Sequence, residues 1–242
     1  MIGEVMKNGE RRMRNVNLKM DNEEQQISSL AQSMEQTMET GNLSVVGDIG
    51  EVMLDAVLDD GILRDVPILS AIVGTGKCVK NVSDILFAKK LITFLWGIKD
   101  ADAKAREDAI IKWENDEKYR ARVGETLLNM INRCDDTQKA LWLSKLFYNL
   151  VLKHGYTDVF LRTEKTLSML SVADVYSFLS LPANKYQTLT LEEAEWYSHT
   201  GLYMMEDHGK ILGVEILQVP RPKMIITEVG ICIYTILNDL KY

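Results

Sequence analysis

Ile225-Ile226-Thr227-Glu228-Val229-Gly230 joins two patterns that do not mix. Before it, residues 224–226 alternate as a short strand does. After it, Val229, Ile233, Ile236, Leu237 and Leu240 recur at the spacing of one helix face. Working back along the chain, residues 202–205 and 212–219 alternate as well, with His208-Gly209 and Pro220-Arg221-Pro222 as turns. Ahead of these strands Thr190 and Glu193 stand at the spacing of a capping box, and Gly201 closes the helix they open. Pro182 divides this mixed segment from everything before it, where only helices are expected. The expected class is therefore mainly α, a multi-helix N-terminal domain followed by a small α+β C-terminal domain.

The order helix, helix, strand, β-ribbon, strand, helix resembles a winged-helix module. The phrase from Ile225 to Gly230 resembles the third strand and last helix of many bacterial winged-helix proteins. The expected organisation is a mobile basic tail over 1–22, a helical domain over 23–182 and a winged-helix-like domain over 183–242. In such a module the second helix enters the major groove, where Arg, Lys, Asn and Gln reach phosphates and bases. Here that helix carries Glu192, Glu193 and Glu195, which repel a phosphate array. Only the expected wing is basic, through Lys210, Arg221 and Lys223, so these are the candidate wing contacts.

The helical part shows its own punctuation. Ile27, Leu30, Met34 and Met38 make a narrow apolar stripe ended by Gly41 and expected to dock on the main domain or on a second copy of the chain. A helix over 48–60 stops at Asp60-Gly61, and Pro67 suits the first turn of the next element. The apolar run over 68–98 is expected to form the buried centre of the first domain, broken or kinked at Gly74 and Gly76. Helix starts are expected near Asp102, at Asn115-Asp116 and at Asp135-Asp136; Thr157 and the Ser171 to Asp174 box open two more.

Composition sets the class of molecule. Of 242 residues 46% are hydrophobic and 26% charged, enough for a core without disulfide or metal staples. Cys78, Cys134 and Cys232 are widely spaced and odd in number, against a disulfide framework or a zinc site and in favour of a reducing, cytoplasmic setting. The longest uncharged stretch, 66–76, is too short to span a bilayer, and no apolar block follows Lys7, Arg11, Arg12 and Arg14 as a secretory signal requires. The net charge of −7 is unevenly spread: residues 21–60 hold ten acids with no lysine or arginine, while 1–20 and 61–100 are each +3. Such alternation lets an acidic arm meet the basic segment over 77–90, or steers a charged partner towards it.

Sites of chemistry are scarce. Ala71-Ile72-Val73-Gly74-Thr75-Gly76-Lys77-Cys78 approaches a phosphate loop, but alanine replaces the first glycine and cysteine the hydroxyl that would bind magnesium. His154, His199 and His208 form no metal-binding pair, and no GxSxG elbow or Cys-His nucleophile context is present. Asp59-Asp60 and Asp135-Asp136 coincide with helix boundaries, where aspartate caps. No catalytic, cofactor-binding or metal residue is expected, and no cofactor.

Leu58-Asp59-Asp60-Gly61-Ile62-Leu63-Arg64-Asp65-Val66-Pro67-Ile68-Leu69, followed by Asp84-Ile85-Leu86-Phe87-Ala88-Lys89-Lys90-Leu91-Ile92-Thr93-Phe94-Leu95, resembles poorly characterised bacterial helical proteins associated with abortive infection (Abi-alpha-like). The resemblance covers residues 45–150, with Thr227 and Gly230 as a second point. It implies a bacterial cytoplasmic protein acting in antiviral defence and carries over no catalytic residue. The expected function is a non-enzymatic protein-interaction or sensor protein in phage defence, its partner another protein or a second copy. Candidate partner-binding residues are Ile27, Leu30, Met34, Met38, Lys77, Lys80, Lys89 and Lys90. Two rivals stand beside it: a DNA-binding transcriptional regulator using the winged-helix-like domain, and a membrane-active effector exposing the apolar and basic 66–98 segment.

Overall fold

Helix α1 (24–40) turns one face inward: Ala31, Met34 and Met38 are fully buried, while Ile27 remains half exposed. Burying two methionines contributes about 3–6 kcal/mol, more than this isolated, weakly apolar helix gains from its own hydrogen bonds. The computed structural model describes residues 20–21, 24–41, 43, 46, 66–74, 82–116, 122–182, 186–205 and 223–238. They fall into two units, Met1–Ala88 with Asp102–Asn129 and Lys89–Ala101 with Met130–Tyr242.

In the first unit, polar side chains from one helix finish the ends of others. Helix α2 (Pro67–Gly74) begins with proline, whose missing N–H costs nothing at that position. The next orphan donor, Ile68 N, is met by Thr37 Oγ1 of α1 at 2.9 Å, thirty-one residues away. Helix α3 (Val82–Gly97) contributes its residues through Ala88 to this unit. In α4 (Ala103–Glu114) the side chain of Asp102 caps Lys104 N, and the buried Arg106 donates to the Gly41 carbonyl at the end of α1 at 3.0 Å. That carbonyl end is the negative pole of α1, which suits a guanidinium taken out of water. Helix α5 (Val123–Arg133) passes so close to α1 that a Cβ on Gly124 would overlap the Ala31 carbonyl oxygen. Just ahead of α5, Arg122 pairs with Glu35 at 2.9 Å.

The second unit is organised by aromatic rings. Helix α6 (Thr137–Leu146), capped by Asp136, runs straight into a π-helix over Phe147–Lys153. At its entry Asn149 Nδ2 donates to the Lys145 carbonyl at 2.9 Å. Phe94, Phe147 and Phe160 meet in sequence, tilted at 5.8 Å and edge-on at 5.4 Å, linking α3, the π-helix and α7 (Thr157–Met169). Helix α8 (Val172–Ser180) carries the second hub: Phe178 meets Tyr203 at 5.8 Å, Tyr234 at 6.0 Å and Tyr197 at 6.2 Å. A Cβ on Gly97 would overlap Ser144 Oγ, so this glycine sets the closest approach of α3 to α6.

Strands β1 (Tyr186–Thr188), β2 (Tyr203–Met205) and β3 (Lys223–Ile226) form an antiparallel sheet in the order β1-β3-β2. Tyr186 lies opposite Ile225 and Met204 opposite the same residue on the other side. Helix α9 (Leu191–Thr200) connects β1 to β2, and α10 (Glu228–Asn238) follows β3. Thr227 fastens these parts. Its Oγ1 donates to the Gly201 carbonyl at 2.6 Å and accepts from Gly230 N at 3.0 Å, while its backbone N–H donates to the Leu202 carbonyl at 3.0 Å. Gly230 lies against the Leu202 carbonyl with no room for a Cβ.

The mainly helical class and the small antiparallel sheet near the C-terminus agree with the sequence expectation. Both capping boxes form, at Ser171 with Asp174 and at Thr190 with Glu193. Other local expectations need correction. Thr157 is the first helical residue and not its cap, and Asn115 is the C-cap of α4, the residues 117–121 after it lying outside the described residues. The run over 68–98 is broken after Gly74 into α2 and α3, as the glycines led one to expect. Strand β1 and the π-helix have no counterpart in the sequence reading. The tail over 1–22, apart from residues 20–21, lies outside the described residues, as do the expected helix over 48–60 and strand over 212–219.

Two glycines at the Thr227 clasp should fail for different reasons. Gly201 sits at φ 79°, and a Cβ there would only touch Thr166 Oγ1 at an ordinary 3.5 Å, so Gly201→Ala should cost about 1 kcal/mol through backbone strain alone. Gly230→Ala must displace the Leu202 carbonyl and should cost more, about 1–3 kcal/mol, by overpacking. Urea denaturation of the two variants in parallel checks the order; equal losses would contradict it.

Candidate functional site

Helix α9 stands with one face buried and the other open, and the split follows its sequence. Ala194, Tyr197 and Thr200 point inward, Tyr197 against Phe178 and Tyr203. At an advance of about 100° per residue the opposite side must carry Glu192, Glu195, Trp196 and His199, and all four are exposed. Trp196 keeps 47% of its surface in water. The helix is fixed at both ends. Thr190 N donates to Glu193 Oε2 at 2.9 Å and Glu193 N to Thr190 Oγ1 at 3.3 Å; beyond the other end Leu202 N donates to the Tyr197 carbonyl at 3.1 Å. Glu193 is therefore engaged in the cap, and the outward face combines two carboxylates, an indole and an imidazole.

The electrostatics behind this face are those of a closed aromatic core. Burial pushes the Tyr203 hydroxyl up to about 12, with Tyr197 and Tyr234 adding to it. Burial also raises Tyr197, helped by Glu193 and Asp174. These phenols stay neutral and act as packing rings. Chemistry available to a ligand lies on the outer surface alone: negative charge, a large apolar plane and an imidazole donor.

The residues singled out in the sequence are dispersed. Met34 and Met38 are buried within the first unit, Leu30 is half-buried and Ile27 exposed. Lys90 is engaged, its Nζ donating to the Asn132 and Cys134 carbonyls at 2.7 Å each, at the negative end of α5. Lys89 is half-buried. Lys77, Lys80, Lys210 and Arg221 lie outside the described residues, and Lys223 pairs through its backbone opposite Thr188 at the start of β3. His154 and Tyr156 stack at 5.5 Å on the surface after the π-helix.

Two further groupings hold titratable side chains. Beside Cys134 the ion pair of Arg133 and Glu164, at 2.8 Å, borders a cavity of about 10 Å³ lined also by Met130, Leu143 and Leu167, space for no more than a water molecule. In the first unit Glu114 is pushed up by burial and then by Glu35 and Glu39, with Arg122 opposing. Among the described residues no group of histidine, cysteine, aspartate and glutamate is placed to hold a metal ion. Trp196 was missed in the sequence because a helical residue declares its outward direction only once the buried side is known.

No family model matches the chain, and neither a curated protein nor a solved structure does.

Burial holds the Cys134 thiol near 11 despite the pull of Lys90 and Lys139 in the other direction. At pH 8 its thiolate fraction should be about a hundredfold below that of a thiol at 9, and Cys232 is raised by burial as well. In a Cys78→Ser variant, dithionitrobenzoate at pH 8 should label the native protein slowly and the denatured protein at once. Rapid labelling in the native state would overturn the burial argument.

Proposed function

We propose that this chain is a non-enzymatic protein-interaction module of a bacterial antiviral-defence system, and that the outward face of α9 binds a lysine- or arginine-rich segment of a partner protein. The observation that carries this reading is the stripe of Glu192, Glu195, Trp196 and His199 on a helix locked at both ends. An exposed tryptophan flanked by carboxylates offers a cationic partner both a cation–π surface and ion pairs, and tryptophan is the residue type most enriched where binding energy concentrates. The rigid cap and clasp lower the ordering cost of association.

Sheet order and the helix between β1 and β2 support treating 183–242 as winged-helix-like; residues 206–222, which hold Lys210 and Arg221 of the expected wing, lie outside the described residues. The same stripe weighs against the regulator reading, because the helix that would approach DNA meets its phosphates with two carboxylates. Against the membrane-effector reading stands the burial of Val66, Ile68, Leu69, Ile72, Leu91 and Phe94, which must leave their packing before any lipid is met. No helix among the described residues is long and apolar enough to cross a membrane. The defence setting and cytoplasmic location rest on the resemblance over 45–150.

The test uses the full chain with a fluorescent lysine- and arginine-rich peptide, its charge-reversed counterpart and duplex DNA at physiological salt. The basic peptide alone should bind. Trp196→Ala and the double variant Glu192→Lys/Glu195→Lys should each weaken it by about tenfold or more, with melting unchanged. In phage-challenged cells Trp196→Ala should abolish protection at normal protein levels. Tight duplex binding, or peptide binding indifferent to these variants, would overturn the reading.

A further inference from the structure

The second unit carries a cationic cluster, from the turn after α3, from α6 and from the end of the π-helix, that the α9 reading does not use. Lys99 Nζ lies 5.0 Å from the ring centre of Trp96, and Lys145 Nζ lies 5.8 Å from the same ring. At the last residue of the π-helix, Lys153 Nζ sits 4.6 Å from the ring of Tyr148. Among the described residues none of the three forms an ion pair.

Lys99 and Lys145 share one ring and Lys153 is near enough to act on Lys145, so positive charge gathers here beside a single neighbouring carboxylate, Asp100. A cation–π contact contributes about 0.5–1 kcal/mol at an exposed site, which orients a lysine without neutralising it. The crowding is felt at the half-buried Lys145. Burial lowers its pKa, Asp100 opposes this, and both Lys99 and Lys153 lower it further. Asp100 is exposed and supplies one negative charge against three positive ones. The backbone is specialised here as well: the π-helix over Phe147–Lys153, with the Lys145 carbonyl served by Asn149, sets where Lys153 stands relative to Lys145. Segments of this kind concentrate at functional sites.

We propose that Lys99, Lys145 and Lys153 form a binding site for a small ligand carrying a chain of phosphates, with the rings of Trp96 and Tyr148 orienting the ammonium groups. Ammonium groups act on phosphate as mobile point charges, so three of them suit a compact polyanion whose charges lie close together. An extended nucleic-acid strand fits less well: it needs a run of phosphate contacts, whereas this chain is acidic overall at −7 and Asp100 borders the cluster. The site is separate from the α9 face, and either can stand without the other.

The experiment titrates the full chain with inorganic tripolyphosphate, with ATP and with a short single-stranded oligonucleotide, by calorimetry and tryptophan fluorescence. Tripolyphosphate and ATP should each saturate one site and change the fluorescence, and Trp96→Phe should remove most of that change. The double variant Lys99→Gln/Lys153→Gln should lose about tenfold or more in affinity with unchanged melting; Lys153 is exposed and Lys99 half-buried, and among the described residues neither has an ion pair to lose. Lys145→Gln should weaken binding further. Absence of saturable binding, or affinity equal to the parent's in the double variant, overturns the proposal. Binding of the oligonucleotide alone also overturns it, in favour of an extended polyanion.

Discussion

A single hydroxyl, Thr227 Oγ1, holds the C-terminal sheet and its helices in register. It donates to the end of α9, accepts from the first turn of α10, and sits where β3 becomes that helix. Because Thr227 N also donates to the Leu202 carbonyl, the start of β2 is tied to the same point. Each of these backbone groups is an orphan that a helix or strand end must satisfy somewhere. Satisfying them at one residue leaves α9 no freedom to roll, so the division between its inner rings and outer carboxylates is a fixed property of the fold. The α9 proposal draws on that immobility as much as on the residues themselves.

What the sequence discloses and what it hides divide along physical lines. Caps are legible because a cap is a local hydrogen bond between residues three apart; Ser171 with Asp174 and Thr190 with Glu193 could be read directly. Helices with a clear apolar period were legible too. The start of α2 was only half visible: Pro67 announced it, but its cap is Thr37, thirty-one residues earlier, and nothing local points to that partner. Strand β1 is three residues long and carries no alternation to detect. The π-helix uses ordinary helix formers, and its distinguishing bond pattern leaves no period of its own.

The same contrast governs the candidate sites. Lysines chosen by sequence as partner contacts include Lys90, whose charge is spent on two carbonyls at the end of α5. The cluster of Lys99, Lys145 and Lys153 is spread over more than fifty residues and assembles only when α3 and α6 meet at Gly97 and Ser144. Charge counted along the chain therefore says little about charge in space. In a chain of net −7 the second unit carries both an acidic, aromatic helix face and three lysines that form no ion pair among the described residues.

The π-helix has a consequence for how this segment tolerates change in length. An α-helix turns about 100° per residue, so deleting one residue from 147–153 would let an ordinary hydrogen-bond ladder re-form. The π-helical turn takes up the added residue by closing at i→i+5, so its removal leaves the residues after it at nearly the orientation they hold now. With a residue other than Phe147 deleted, Phe160 keeps its place against that ring, and Gly155, held at φ 68°, still ends the segment before α7. The segment is thus one residue longer than its packing demands, and it is a place where the chain can shorten by one without turning its aromatic rings out of line.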